Sequence, residues 1–376
     1  MNVKLNGKAC LLPAALLACA AGMMAQGPHP VLRTLHSFAG QPDDGAAPTS
    51  LAIRDGVLYG STADGGSSNA GSVFSLTPPA SAGGAWTETS LYSFPAPFDQ
   101  GSSPYSIVLP GRGGILYSAT FGGGTTGNGT VFSLTPPLSP GGDWTETTLY
   151  SFTGGDDGAH PVVLTGQDGI LYGLTNNGGA SNNGVVFSLT PPTGAPSEPA
   201  GAWTQAVLYT FTGGSDGAQP SGLVAGGDGV LYGATLFGGV STNGVVFSLT
   251  PPPSPGGAWT ETVLYSFQSS GDGNSPLANV IFDRSGNLFS TDWMGGEFNR
   301  GTVFQLTPPS NGGEWTETTL HNFGSGNDGQ EPNGGVIWGR DGALYGTTTQ
   351  GGSAVSEQCK LDGYAWSCGV VFRIEP

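Results

Sequence analysis

The amino-acid sequence predicts an all-β protein that folds as a six-bladed β-propeller, with four antiparallel strands in each blade. The chain contains 67 glycines and 29 prolines but only 10 lysines and arginines, which favours short strands and tight turns over helices. A unit of about 56 residues recurs six times along the sequence. Each unit holds four short segments with strand character, which is the number found in a propeller blade.

Each unit begins with an Asp-Gly pair that is followed closely by a proline. These residues favour a turn, because the aspartate side chain bonds to nearby backbone and glycine accepts positive φ angles. The copies begin at Asp44, Asp157, Asp216, Asp272 and Asp328, with an altered copy over residues 99–104. We interpret this motif as the connection from one blade to the next.

The second and third strands of each unit are apolar or small on both faces. A further turn, such as Asp55-Gly56, leads into a Leu-Tyr-Gly strand, and a Gly-Gly loop then leads into a Val-Phe-Ser-Leu-Thr-Pro-Pro segment. Asp-Gly suits a two-residue hairpin, and Pro-Pro ends strand pairing because proline lacks the N–H donor. Strands with two apolar faces fit between neighbouring sheets.

The fourth strand carries the pattern Trp-Thr-Glu-Thr-x-Leu-Tyr-Ser-Phe, as over residues 86–94. Its polar and apolar residues alternate, which is typical of a strand nearer solvent. Residues 31–38 resemble a fourth strand without its tryptophan, and residues 371–374 resemble a third strand with no fourth behind it. We therefore expect the segment at about 31–38 to complete the last blade and close the ring, which hides exposed strand edges.

The connections between blades and the Gly-Gly loops are predicted to emerge on one rim of the propeller. The Asp-Gly hairpins and the segments after Pro-Pro then occupy the opposite rim. Positions that repeat in every blade are explained by packing and turn geometry. Ligand contacts are therefore expected on the first rim, where a single blade departs from the repeat.

The blocks G-T-V-F-S-L-T-P-P and D-G-x-L-Y-G-T-T resemble the GloVer tandem-repeat family of exported bacterial proteins, which differ in how they are anchored. The resemblance covers nearly the whole chain after the N-terminal leader. It implies export and a repeat scaffold, and it supplies no assigned reaction or catalytic residues.

The N-terminus predicts export. Two lysines precede an apolar run and small residues, so residues 1–25 are interpreted as a signal peptide, and residues 30–376 as one propeller domain of six repeats. An alternative is a lipoprotein signal ending before Cys19, which would then carry the lipid. The expected location is extracellular, periplasmic or on the outer surface as a lipoprotein. No transmembrane segment is predicted in the mature protein.

Charge and cysteine content limit the partners. The formal net charge of −17 and the lack of a basic stripe argue against a nucleic-acid partner, and a monomer is expected. Cys359 and Cys368 lie in one loop of a chain predicted to be exported, where thiols tend to pair, so we predict a disulfide between them. Two free thiols are the alternative.

Blades 5 and 6 depart most from the repeat, and their aromatic and charged residues are the candidate ligand site. Aromatic faces beside polar groups suit carbohydrate or another polar extracellular ligand. The candidate ligand-binding residues are Trp293, Phe298, Arg300, Tyr364 and Trp366. This predicts a non-catalytic binding or scaffolding propeller. The alternative to a ligand site is neutral drift in a repeat array, together with a loop that is cross-linked for stability.

A polysaccharide-acting hydrolase or lyase near blades 5 and 6 is the competing hypothesis. Its candidate catalytic residues are Asp292 and Glu297, because such chemistry needs paired carboxyl groups. No cofactor is predicted. The turn aspartates also allow calcium, best at Asp44 and Asp157, but an aspartate before glycine is first of all turn chemistry.

Overall fold

The structure is a computed structural model that describes residues 44–81, 84–106, 109–139, 141–167, 169–192, 202–227, 229–254, 256–268, 271–310, 312–325, 327–339, 341–351 and 370–376. Within these ranges the only helical segments are two short 3₁₀ turns, Phe98–Gln100 and Arg112–Gly114. The strands form six antiparallel sheets arranged as a six-bladed propeller, which confirms the predicted fold class. All of these residues belong to one compact unit, His36–Pro376.

Each blade is a meander in which consecutive strands pair with each other. Blade 1 contains β1 (Gly45–Arg54), β2 (Val57–Gly65), β3 (Ser72–Thr77) and β4 (Thr87–Ser93). Blade 2 contains β5 (Ser102–Pro104), β6 (Leu109–Pro110), β7 (Leu116–Gly122), β8 (Thr130–Thr135) and β9 (Thr145–Ser151). Blade 3 contains β10 (Ala159–Gln167), β11 (Ile170–Asn177), β12 (Val185–Thr190) and β13 (Thr204–Thr210).

The remaining blades repeat the same order. Blade 4 contains β14 (Ala218–Ala225), β15 (Leu231–Phe237), β16 (Val245–Thr250) and β17 (Thr260–Ser266). Blade 5 contains β18 (Asn274–Pro276), β19 (Ile281–Phe282), β20 (Leu288–Met294), β21 (Thr302–Thr307) and β22 (Thr316–Asn322). Blade 6 contains the described strands β23 (Gln330–Trp338), β24 (Leu344–Gln350) and β25 (Val371–Ile374).

The first strand is divided into two short pieces in blades 2 and 5, where both pieces pair with the second strand. Residues 31–38 lie outside the described residues, so their pairing in blade 6 stays a prediction. The predicted signal segment and Cys19 also lie outside the described residues. None of the helical segments in the described part of the chain is long and apolar enough to cross a membrane.

The hydrophobic core consists of layers between neighbouring blades. The phenylalanine after each fourth strand packs edge-on against the phenylalanine of the third strand in the next blade, with ring centroids 5.1–5.3 Å apart at four junctions. These rings are fully buried. The pairs are Phe94–Phe132, Phe152–Phe187, Phe211–Phe247 and Phe267–Phe304. The two phenylalanines that recur in every unit therefore join one blade to the next.

The fourth strands are more exposed than the third strands, as predicted. In blade 2 the residues of β8 are buried up to Leu134, whereas the residues of β9 are exposed or half-buried. This difference follows from position, because the fourth strand has a sheet neighbour on one side only.

The connections between blades and the Gly-Gly loops lie at the same end of each sheet, as predicted. The Gly66 amide donates to the Asp44 carbonyl over 2.7 Å, and the Gly179 amide donates to the Gly155 carbonyl over 2.8 Å. We call this end of the sheets the upper rim.

A left-handed residue precedes the first-strand proline in every blade. Its φ angle is between 52° and 59° in all six blades, at Ala47, Ser103, His160, Gln219, Ser275 and Glu331. In five blades its amide donates to a carbonyl of the preceding blade, as from His160 to Asn128 over 2.9 Å. In these five blades the interblade bond fixes the backbone of the left-handed residue on the upper rim.

Candidate functional site

Exposed aromatic side chains of the described residues lie on one side of the propeller. The most exposed ones are all on the upper rim, at the ends of first or second strands or in the adjoining loops. They are Phe98, Tyr105, Phe121, Phe237, Trp293 and Phe298. The opposite rim exposes aliphatic residues instead, such as Leu138 and Ile337. The upper rim is therefore the side on which a stacking ligand would bind.

Trp293 lies in a cleft of about 380 Å³ that spans blades 4, 5 and 6. We call this the Trp293 cleft. Its volume is within the range of small-molecule sites. The indole is 37% exposed, so part of its surface faces the cleft. The cleft is lined by Leu236, Phe237, Ser275, Leu277, Trp293, Glu331, Asn333 and Thr349. Apolar and hydrogen-bonding groups thus face the same space.

Trp293 occupies a repeat position that faces the following blade. The position follows the buried threonine of the second strand and holds Ala63, Phe121, Asn176, Leu236, Trp293 and Thr349 in blades 1 to 6. In blade 5 it shares the cleft with Glu331, the left-handed residue of blade 6. In blade 2 the same position stacks on His160, the left-handed residue of blade 3.

Glu331 is held in a fixed orientation at the wall of the cleft. Its Oε1 lies 3.4 Å from the Arg300 Nη1 atom, and its Oε2 accepts a 2.8 Å hydrogen bond from the Gln350 amide. The Thr349 hydroxyl donates to the Glu331 carbonyl over 2.9 Å. The side chain is only 13% exposed. A carboxylate held in this way is a preorganised hydrogen-bond acceptor.

Two other predicted ligand residues lie beside this wall. Arg300 contacts the cleft through its ion pair with Glu331. Phe298 and Arg300 both pack against Gly324, where an added Cβ would lie about 3 Å from each side chain. Phe298 is exposed next to the arginine. The structure therefore places Trp293 in the cleft, Arg300 behind Glu331, and Phe298 at the edge.

Other predicted residues lie outside the described residues. These are Tyr364 and Trp366 of the candidate ligand site, and Cys359 and Cys368 of the predicted disulfide. The contribution of that loop to the cleft and its disulfide remain predictions.

The two candidate catalytic carboxyl groups have different surroundings. Asp292 is 0% exposed, and its Oδ2 accepts a 2.7 Å hydrogen bond from the Thr302 hydroxyl. Its Oδ1 has no hydrogen-bond partner among the described residues. Burial raises the pKa of Asp292 well above its ordinary value. Glu297 is exposed, and its backbone amide donates to the Asn322 side chain.

Asp292 replaces a buried threonine of the repeat. The other five blades hold Thr62, Thr120, Thr175, Thr235 and Thr348 at this position. In blade 2 the Thr120 hydroxyl lies 2.8 Å from the Thr130 hydroxyl, which matches the contact between Asp292 and Thr302. Successive side chains of a strand point to opposite faces, so Asp292 is buried while Trp293 faces the cleft.

The turn aspartates use their carboxylates within the fold. Asp157 accepts hydrogen bonds from the Tyr150 hydroxyl and from the Thr153 amide and hydroxyl. Asp44 accepts a bond from the Gly45 amide. In blade 6 a histidine takes the place of the tyrosine, and the His321 Nε2 atom lies 3.0 Å from the Asp328 carboxylate. No group of three or more His, Cys, Asp or Glu residues in the described ranges is arranged to hold a metal ion.

Sequence reasoning found Trp293 but missed Glu331, Phe237 and the aromatic residues of blade 2. When the six units are aligned on the first-strand proline and the buried second-strand threonine, Glu331 and Phe121 fall at rim positions. The left-handed backbone that turns Glu331 and His160 toward the preceding blade has no clear signal in the sequence, because it occurs at alanine, serine, histidine, glutamine and glutamate alike.

Comparison with known proteins gave a family and a fold. The sequence model of the Gloeobacter/Verrucomicrobia repeat matches residues 46–278 and 198–376. The PQQ-bound aldose sugar dehydrogenase from Streptomyces coelicolor is a similar structure, with a TM-score of 0.51, 14% identity and coverage of 90% of this chain and 96% of that chain. A luciferin-regenerating enzyme has a TM-score of 0.50, 13% identity and coverage of 90% and 92%. These identities support a shared fold alone. No curated protein sequence matched.

Proposed function

The chain belongs to the Gloeobacter/Verrucomicrobia repeat family, and we propose that it is an exported, non-catalytic propeller that binds carbohydrate in the Trp293 cleft. The observation that carries the proposal is the pairing of a partly exposed indole with the fixed carboxylate of Glu331 in one cleft. A sugar ring presents C–H groups on one face and hydroxyls at its edge. The indole suits the face and the carboxylate suits the hydroxyls.

Further polar groups in the cleft support hydrogen bonding to a sugar. Ser275, Asn333 and Thr349 lie in the same lining as Glu331. Hydroxyl and amide side chains both donate and accept hydrogen bonds, so they suit ligand hydroxyls in either role. Leu236, Phe237 and Leu277 supply the apolar remainder of the wall. A few directed polar groups in an apolar wall give orientation as well as contact area.

The carboxyl groups favour binding over glycoside hydrolysis. Hydrolysis of a glycosidic bond normally uses two carboxyl groups that flank the bond. Among the described residues that line the cleft, Glu331 is the only carboxylate, so the second carboxyl group is missing there. Asp292 is buried away from solvent. We therefore place Asp292 in the fold of blade 5 and outside a reaction centre.

The proposal is tested by measuring glycan binding to the purified mature protein on an array of neutral and acidic glycans. Trp293→Ala is expected to weaken binding of the best neutral glycan about tenfold or more, since loss of a stacking contact costs about 1.4 kcal/mol or more. Trp293→Phe should retain most of the affinity. Leu138→Ala, at an exposed residue of the opposite rim, is the matched control.

Two results would contradict the proposal. Unchanged affinity of Trp293→Ala for every bound glycan would remove the cleft as the site. Release of new reducing ends or unsaturated products during incubation with a bound polysaccharide would favour the hydrolase or lyase instead.

We also propose export with removal of the leader. Intact-mass measurement of the protein from its native host distinguishes cleavage near Ala25 from a lipid-modified Cys19, because acylation adds the mass of the lipid chains. An unprocessed N-terminus would contradict export through this segment.

A further inference from the structure

Blades 2 and 5 share a feature that the other four blades lack. In each of them, the residue after the first-strand proline and the residue after the second-strand threonine position are both large and apolar. Blade 2 has Tyr105 and Phe121, and blade 5 has Leu277 and Trp293. In blades 1, 3, 4 and 6 at least one of these two positions holds a small or polar residue.

These two blades lie opposite each other in the ring. Two blades separate blade 2 from blade 5 in either direction around six blades. Both pairs of side chains lie on the upper rim. The departures from the repeat therefore produce two apolar surfaces on one face of the propeller, on opposite sides of its axis.

On blade 2, the Phe121 side chain and the neighbouring His160 are held in place by contacts within the fold. The Phe121 and His160 rings stack with centroids 4.1 Å apart and an angle of 10° between their planes. The His160 Nδ1 atom lies 2.8 Å from the Phe121 carbonyl oxygen, which can only accept, so Nδ1 carries the proton. The His160 backbone is held by its bond to the Asn128 carbonyl. Little side-chain freedom remains to be lost when a ligand binds.

This surface has apolar area with polar groups at its edge. Tyr105 is 54% exposed and Phe121 is 38% exposed, and their ring centroids are 5.8 Å apart. The Tyr105 hydroxyl and the second ring nitrogen of His160, Nε2, supply polar groups beside this apolar area. Stackable rings beside available hydroxyl and imidazole groups match the chemistry of the Trp293 cleft, where Glu331 takes the place of His160.

We propose that Tyr105, Phe121 and His160 form a second sugar-binding subsite, and that the propeller binds one extended, uncharged polysaccharide chain at two points on the upper rim. This inference rests on the proposed function of the Trp293 cleft. An uncharged polysaccharide fits best, because Glu331 lines the first site and the formal net charge of −17 would repel an acidic chain. Two linked contacts raise the affinity for a long chain and leave the affinity for a short one unchanged.

The test compares long and short ligands of the same composition. Soluble neutral polysaccharides (barley β-glucan, galactomannan and linear arabinan) are screened by affinity electrophoresis, with polygalacturonate as the acidic probe. Affinity for the best polymer and for its trisaccharide is then measured by calorimetry. The variant Tyr105→Ser with Phe121→Asn is chosen because the repeat itself holds Ser221 and Asn176 at these positions.

The double variant is expected to lose about tenfold or more in affinity for the polymer and to bind the trisaccharide as the wild type does. Trp293→Ala should weaken binding of both. The control variant Asn176→Ala changes the position equivalent to Phe121 in blade 3, and it should bind both ligands normally. A melting temperature equal to that of the wild type confirms that the double variant is folded.

The outcomes separate this inference from the proposed function. Wild-type affinity of the double variant for the polymer overturns the second subsite, while the Trp293 cleft stands if Trp293→Ala is impaired. Preferred binding of polygalacturonate overturns the uncharged class. Failure of the wild-type protein to bind any of the glycans overturns the proposed function and this inference with it.

Discussion

Three glutamates of the outer strands make the stability of the propeller depend on pH. Glu146, Glu261 and Glu317 occupy the same half-buried position in blades 2, 4 and 5. Burial is the main reason that the pKa of each carboxyl rises from 4.5 to about 7. The negative charges of Asp216 and Asp272 add to this rise at Glu261 and Glu317. Folding therefore favours the protonated form of all three side chains.

The sign follows from linkage between proton binding and folding. A carboxyl whose pKa is higher in the folded state binds its proton more tightly there, so folding is favoured below pH 4.5 and this advantage is lost as pH rises to about 7. A pKa rise from 4.5 to about 7 sets an upper limit of about 3 kcal/mol per site. Because the side chains are only half-buried, solvent screening reduces this to about 1 kcal/mol each, or about 3 kcal/mol together.

The perturbation is the triple variant Glu146→Gln, Glu261→Gln and Glu317→Gln. Glutamine has nearly the same shape and does not ionise. Blade 3 already holds Gln205 at this position, where its amide donates to the Asp157 carbonyl over 3.4 Å. The repeat therefore accommodates an amide there.

The assay is urea unfolding at pH 4 and pH 8. The wild type and the triple variant should have similar free energies of unfolding at pH 4, below the ordinary glutamate pKa, and the variant should be more stable by about 3 kcal/mol at pH 8. The control variant Asp143→Asn, Glu297→Gln and Glu314→Gln removes the same charge at exposed positions. An equal pH dependence in the wild type and the triple variant, or an equal gain in the control, would refute the reasoning.

Three further predictions concern the fold. Gly184→Ala should destabilise the protein by about 3 kcal/mol or more by urea unfolding, because the new Cβ would lie 2.2 Å from the Thr175 carbonyl oxygen and 2.7 Å from the Pro220 Cδ atom of the next blade. Gly169 has a similar positive φ but open space around it, so Gly169→Ala should cost only about 1 kcal/mol of stability. Equal losses of stability in the two variants would show that the close contacts at Gly184 are unimportant. Asp292→Thr should raise the free energy of unfolding by about 2 kcal/mol. The substitution removes a buried carboxyl oxygen that has no partner among the described residues and restores the threonine that the other five blades hold at this position. A loss of stability would contradict this account. EDTA should leave the melting temperature unchanged, since the turn carboxylates are already hydrogen-bonded within the fold, and a large drop would show a bound metal.

The architecture was predictable because its determinants are local. Asp-Gly turns, strands that are apolar on both faces and prolines that end pairing each act over a few residues. Their sixfold repetition also removes the ambiguity of any single copy. The two phenylalanines of each unit were visible as repeats, but their edge-on contact across the blade junction required the structure, since Phe152 and Phe187 belong to different sheets.

The candidate site was only partly predictable. Trp293 departs from the repeat, and this departure identified its blade. Asp292 departs from it as well, but the alternation of the strand buries its side chain in the sheet and separates it from its neighbour. Departure from a repeat indicates where selection or drift has acted, and it does not indicate which side chains share a cavity.

The sequence by itself determined the number of units, the order of strands within each unit, the rim on which the loops meet and the family of the chain. Only the tertiary structure decided that Glu331 lies in the cleft with Trp293 and that Phe121 stacks on His160. The physical reason is that both contacts join different blades through a residue with a left-handed backbone. In five blades the residue with that conformation donates a hydrogen bond to the preceding blade, and this contact forms only when the blades are packed side by side.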